Sequence, residues 1–146
     1  HHDAFYIGRN LDSAVCLEAS LKLKEIAYLH SEAYPAGELK HGPISLIEEG
    51  TLVVALATVQ PLFDKTMANI REVKARGGDV LCITLPEQEQ RALEQGCKVI
   101  TVPAVVPMLQ PSVSLIPMQL FAYYMAVNRG CDVDKPRNLA KSVTVE

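Results

Sequence analysis

The chain lacks the marks of several large functional classes. Basic residues are not in excess: 14 Lys and Arg stand against 17 Asp and Glu, for a net charge of -3. Nucleic-acid binding needs a basic stripe to neutralise phosphates, and none is present. No apolar run approaches the roughly 20 residues of a membrane-spanning helix. The longest candidate, Thr51 to Thr58, has the length of a strand. No signal peptide is legible at the N-terminus. The four cysteines, Cys16, Cys82, Cys97 and Cys131, form no C-x-x-C pair. They are expected to be buried thiols of a reduced, cytoplasmic protein. There is no Walker loop, no G-x-G-x-x-G after a strand, no H-E-x-x-H and no G-x-S-x-G. His30 and His41 are the only internal histidines. Without a neighbouring cysteine they do not suggest zinc, and nothing calls for a metal or cofactor.

What is present suits one domain. The 146 residues are 49% hydrophobic, enough to bury a sizeable core. Ala4 to Gly8 reads as a short buried strand. Asp12 or Ser13 is predicted to cap a helix running to about His30, and Glu32 to Tyr34 to form a small extended piece. A short helix is expected to begin at His41-Gly42-Pro43. Leu52 to Ala57, without polar alternation, fits a strand buried on both faces. A helix after Pro61 runs to about Arg76 and stops at Gly77-Gly78. Val80 to Thr84 is a further strand, Glu87 to Glu94 a short helix, and Lys98 to Val102 another strand. The four prolines between Pro103 and Pro117 predict an extended loop. A last helix starts near Ser114 or Met118 and ends at Asn128. Helices alternating with short apolar strands predict an α/β fold: a parallel sheet in a three-layer sandwich, flavodoxin-like or Rossmann-like. Such sheets bind ligands beyond the strand C-termini, which points to the loops after Gly8, Ala57, Thr84 and Val102. The chain starts abruptly before a strand, as a domain cut from something longer would.

Three groups of residues could carry chemistry. On the first helix, Glu18, Lys22 and Glu25 fall within an arc of roughly 60°. A solvated stripe of ion pairs gives the same pattern. A carboxylate beside an ammonium also suits a base that moves a proton next to a carbonyl. That use would fail if Glu25 and Lys22 faced outward, far from the strand ends. The second group is Glu38 to Pro43, a shaped turn holding His41, which can titrate near neutral pH. It also reads as a hydrogen-bonded surface histidine. The third is the polar tail, Cys131 to Glu146, which frays by composition unless it folds over a site.

Three blocks carry a resemblance over essentially the whole chain. They are Leu17 to Ile26 (LEASLKLKEI), Ala33 to Pro43 (AYPAGELKHGP) and Asp132 to Glu146 (DVDKPRNLAKSVTVE). The chain resembles the second sugar-isomerase (SIS) half of the glutamine–fructose-6-phosphate aminotransferases. That resemblance implies a place in making glucosamine 6-phosphate from fructose 6-phosphate and glutamine-derived ammonia. It implies Glu25 as the base working between C1 and C2, with Lys22 supporting proton movement at the substrate oxygens. Glu18 joins them on the substrate side. It implies His41 as the ring-opening residue, acting in the site of a neighbouring subunit. Lys141 is implied to meet the open ketone, and Ala140 to line the sugar site through its backbone. The implied partners are a first SIS domain, a glutaminase domain and a second copy in a homodimer. No copy of the family's Ser/Thr-rich phosphate loop is legible here, so the chain alone is expected to have little synthase activity. A phosphosugar-sensing SIS module without catalysis, and a related phosphosugar isomerase or deglycase, are the alternatives.

Overall fold

The structure, a computed structural model, describes residues 3–137. Ala140 and Lys141 lie outside the described residues. Five strands form one sheet: β1 (Asp3–Gly8), β2 (His30–Pro35), β3 (Leu52–Ala57), β4 (Asp79–Thr84) and β5 (Lys98–Thr101). Their order is β2-β1-β3-β4-β5 and every pairing is parallel. Four α-helices cover it: α1 (Leu11–Ala27), α2 (Phe63–Lys74), α3 (Glu89–Glu94) and α4 (Gln110–Asn128). This is the expected three-layer α/β sandwich.

The period of two along each strand divides the core. Phe5, Ile7, Val53, Ala55 and Cys82 meet α2, α3 and the turns after β2. Tyr6, Val54, Leu56 and Ile83 meet α1 and α4. With apolar partners on both faces, the central strands need no polar alternation. On α1 the buried positions Val15, Ala19, Leu23 and Ala27 follow the helical spacing. Met118, Ala122 and Ala126 do the same on α4, whose small residues let the two helices pack closely.

Four local expectations change. α1 stops at Ala27 rather than near His30, because Tyr28 adopts the left-handed conformation (φ 54, ψ 33) that ends helices. His30 is thereby freed to open β2, which runs six residues instead of a small piece. Neither Asp12 nor Ser13 caps α1; Asn10 stands at that position with no side-chain cap bond, and Asp12 is buried. α4 begins at Gln110, inside the segment expected to be a loop. Pro111 fits its first turn, where an N–H has no helical partner. Pro117 lies within the helix and leaves one carbonyl without its helical donor. Gln110 steadies this start: its Oε1 accepts from the Val105 N–H (3.0 Å) and its Nε2 donates to the Pro103 carbonyl (3.2 Å).

Candidate functional site

The strand order reverses between β1 and β3, where doubly wound sheets open a crevice at the strand C-termini. A cavity of about 490 Å³ lies there, lined by Asn10, Leu11, Asp12, Thr58, Val59 and the 104–111 segment among others. Its described wall holds no Lys, Arg or His. Asp12, 3% exposed, spans the crevice floor. Its carboxylate accepts from the Thr58 N–H (2.8 Å), the Thr58 hydroxyl (2.6 Å) and the Val59 N–H (3.2 Å). Burial pushes its pKa up while these three donors pull it back. Gly8 makes the close approach possible: a Cβ there would stand 2.7 Å from the Asp12 carbonyl carbon. Asn10, at the lip, has φ 55 and ψ -127, a backbone state that costs on the order of 1–3 kcal/mol.

The triad lies elsewhere. α1 leaves the C-terminal end of β1 and returns to the start of β2, so Glu25 sits near the strand N-termini. Fourteen residues from Leu11, at 1.5 Å each, place it about 21 Å along the helix from the crevice end. Lys22 Nζ pairs with Glu25 Oε2 (2.8 Å) and Glu18 Oε1 (3.3 Å). Glu25 is the most buried of the three, with 19% side-chain exposure. The hydrogen bond to Glu25 raises the Lys22 pKa, partly offset by desolvation, so Lys22 is held as a cation. Lys24, off that arc, donates to the Ser31 carbonyl (3.0 Å). A carboxylate in the last turn of a helix faces the negative end of the dipole, a position worth about 0.3–1 kcal/mol against it. Leu17 and Leu21 beside the triad are 60% and 43% exposed. On α4, Ile116, Leu120, Tyr124 and Val127 are exposed as well. Glu25 and Lys22 thus lie far from the strand C-termini on an outward face beside the exposed Leu17 and Leu21. The expectation that they move a proton in this chain's own crevice fails; a role for them needs a site completed from outside the described residues.

His41 closes a 3-10 turn (Leu39–His41) after the C-terminal end of β2. Leu39 and Ile44 anchor that segment in the core, and His41 itself is exposed. Six residues of β2, roughly 20 Å, separate its end from the end near Glu25. The chain does not bring the two together. The tail does approach the triad. Arg137 donates its N–H to the Tyr28 hydroxyl (2.9 Å), and its guanidinium stacks 4.0 Å above that ring. Tyr28 lies just past Glu25, so the last described residue meets the triad's end of α1.

With this geometry in view, comparison with known proteins decides the family. The SIS domain model matches residues 1–129. The chain belongs to the SIS domain family. It is 62% identical over 145 residues to a glutamine–fructose-6-phosphate aminotransferase (isomerizing) of Caldanaerobacter subterraneus subsp. tengcongensis, covering 99% of this chain and 24% of that protein. A protein of the same name from Sphingobium yanoikuyae is 53% identical, over 99% of this chain and 92% of its own length. Among solved structures, the C-terminal domain of the Francisella tularensis glucosamine-fructose-6-phosphate aminotransferase superposes with TM-score 0.86. It is 39% identical over 90% of this SIS chain and 37% of the other. The chain thus spans about a quarter of the length of several relatives it matches.

Two features escaped the sequence. Asp12 was legible only as a helix cap, because its partners Thr58 and Val59 are distant in the chain. Arg9, whose Nε (3.2 Å) and NH2 (2.8 Å) both donate to Asn69 Oδ1, left no signal at all. Among the described residues no cluster of His, Cys, Asp and Glu could hold a metal. Cys16 and Cys82 are fully buried and free, with thiols pushed up by burial.

Proposed function

We propose that this SIS domain is the second isomerase half of an enzyme making glucosamine 6-phosphate from fructose 6-phosphate and glutamine-derived ammonia. The observation that carries the reading is the Glu18–Lys22–Glu25 cluster on an α1 face whose Leu17 and Leu21 are exposed among the described residues. Electrostatics disfavours Glu25 there and the ion pair, partly exposed, returns little. Burial under a first SIS half would desolvate the cluster and strengthen its electrostatics.

In this account Glu25 takes a proton from C1 of the sugar and delivers it to C2 through an enediol-like intermediate. Lys22, kept cationic by its two carboxylates, steadies charge developing on the substrate oxygens. Glu18 holds Lys22 from the other side. His41 opens the sugar ring in the site of a second copy, a reading that the separation of His41 from Glu25 within the chain supports. The assembly is then a homodimer. The Lys141 amine adds to the C2 ketone of the open sugar with loss of water, ammonia then displaces the lysine to leave the imine at C2, and the Ala140 backbone lines the site. The setting is the cytoplasm; among the described residues no helix is long and apolar enough to cross a membrane.

The test is Glu25→Gln in the complete polypeptide. Glucosamine 6-phosphate formation is expected to fall by about 10²–10⁴-fold, the usual weight of a general base, while glutamine hydrolysis persists. Undiminished synthesis would overturn the reading.

A further inference from the structure

We infer that the switch-point crevice of this half is an anion cradle already filled by the chain's own Asp12, so that it takes no phosphate. Successive residues just past the end of β3 offer two backbone N–H groups to Asp12 Oδ2 and a hydroxyl to its Oδ1. They lie just before the 3-10 turn Gln60–Leu62 that leads into α2. Converging N–H groups at a strand-to-helix junction make the kind of nest that holds phosphate oxygens. Here all three donors are spent on the Asp12 carboxylate, which is the resident anion of the nest.

The plug is built in. Asp12 and Thr58 are 3% and 5% exposed, so a dissolved anion cannot share the donors. Asp12 leaves the first turn of α1 directly against β1, held there by the close approach at Gly8. No cation in the described wall offsets a second negative charge. An incoming phosphate meets a carboxylate, hydrocarbon and amides. Asp12 is therefore a specificity-determining residue: it denies this crevice to sugar phosphates and leaves their phosphate to be bound elsewhere. This goes beyond the assignment of Glu25 and concerns the opposite end of the strands, so either can fail alone.

The experiment follows the amide resonances of Thr58 and Val59 in the ¹⁵N-labelled chain, titrated with inorganic phosphate against chloride of matched ionic strength. In the wild type the two amides are expected to stay unmoved. In Asp12→Ala the freed donors gain phosphate-dependent shifts, with affinity at least about tenfold above wild type. Asp12→Ser, which keeps a short acceptor at the helix start, replaces it if Asp12→Ala does not fold. Saturable shifts of Thr58 and Val59 in the wild type would overturn the inference. A folded variant that gains no phosphate binding would overturn it as well. If neither variant folds, the wild-type titration decides alone.

Discussion

Near its start, α1 sends a carboxylate into the crevice, where Asp12 finds three donors and almost no solvent. Near its end it presents another, Glu25, to a face that the described residues leave open, beside a half-exposed lysine and uncovered leucines. The first carboxylate is satisfied internally and occupies the backbone donors at the place where the fold ordinarily binds ligands. The second is poorly placed for stability and lies on a face that the described residues leave uncovered. In the proposed account the reacting groups of this SIS domain lie on a surface that the described residues leave uncovered, while the backbone donors of the fold's own crevice are taken up by Asp12.

Substitutions at the two ends can break that contrast. The largest effect on stability is expected at Asp12→Ala. It strands buried donors at Thr58 and Val59 and should cost about 2–3 kcal/mol in urea unfolding. A cost under about 0.5 kcal/mol would show that the crevice is not sealed by this contact. Leu21→Asp addresses the open face. The chain itself should keep its stability within about 0.5 kcal/mol, because the side chain is solvated. Association with a first SIS half, measured by sedimentation, should weaken about tenfold or more, since a buried leucine contributes about 1.5–3 kcal/mol. Equal loss of stability in the chain alone would place Leu21 in this chain's own core. The smallest effect belongs to Tyr6. Its hydroxyl is buried beneath α1 with no hydrogen-bond partner among the described residues, and burial pushes its pKa up. Tyr6→Phe should be neutral or stabilising by about 1 kcal/mol in thermal unfolding. A clear destabilisation would reveal a partner for that hydroxyl.

Much of the architecture was legible because burial on both faces writes continuous apolar runs, as in Leu52 to Ala57. β2 was harder. It lies at the sheet edge, its sequence HSEAYP carries polar side chains, and Ser31 is buried only because it pairs with Ser20 (2.9 Å). The start of α4 was hidden by prolines that a first turn tolerates. The shared face of Glu18, Lys22 and Glu25 follows from helical spacing, and both ion pairs formed as that spacing allows. Their distance from the crevice could not be read, since spacing gives the face of a helix and not which end of the sheet it reaches. The pairing of Asp12 with Thr58 joins segments 46 positions apart, which no local pattern records.

The central claim is that sugar phosphate reaches Glu25 only when another body covers α1. A titration with fructose 6-phosphate tests it most directly, following the Lys22, Glu25 and His41 amides with the SIS chain alone and then joined to the preceding half. The account predicts silence in the isolated chain and saturable shifts at Lys22 and Glu25 in the joined form. Equal shifts in the isolated chain, or silence at Glu25 when the joined form binds the sugar, would contradict it.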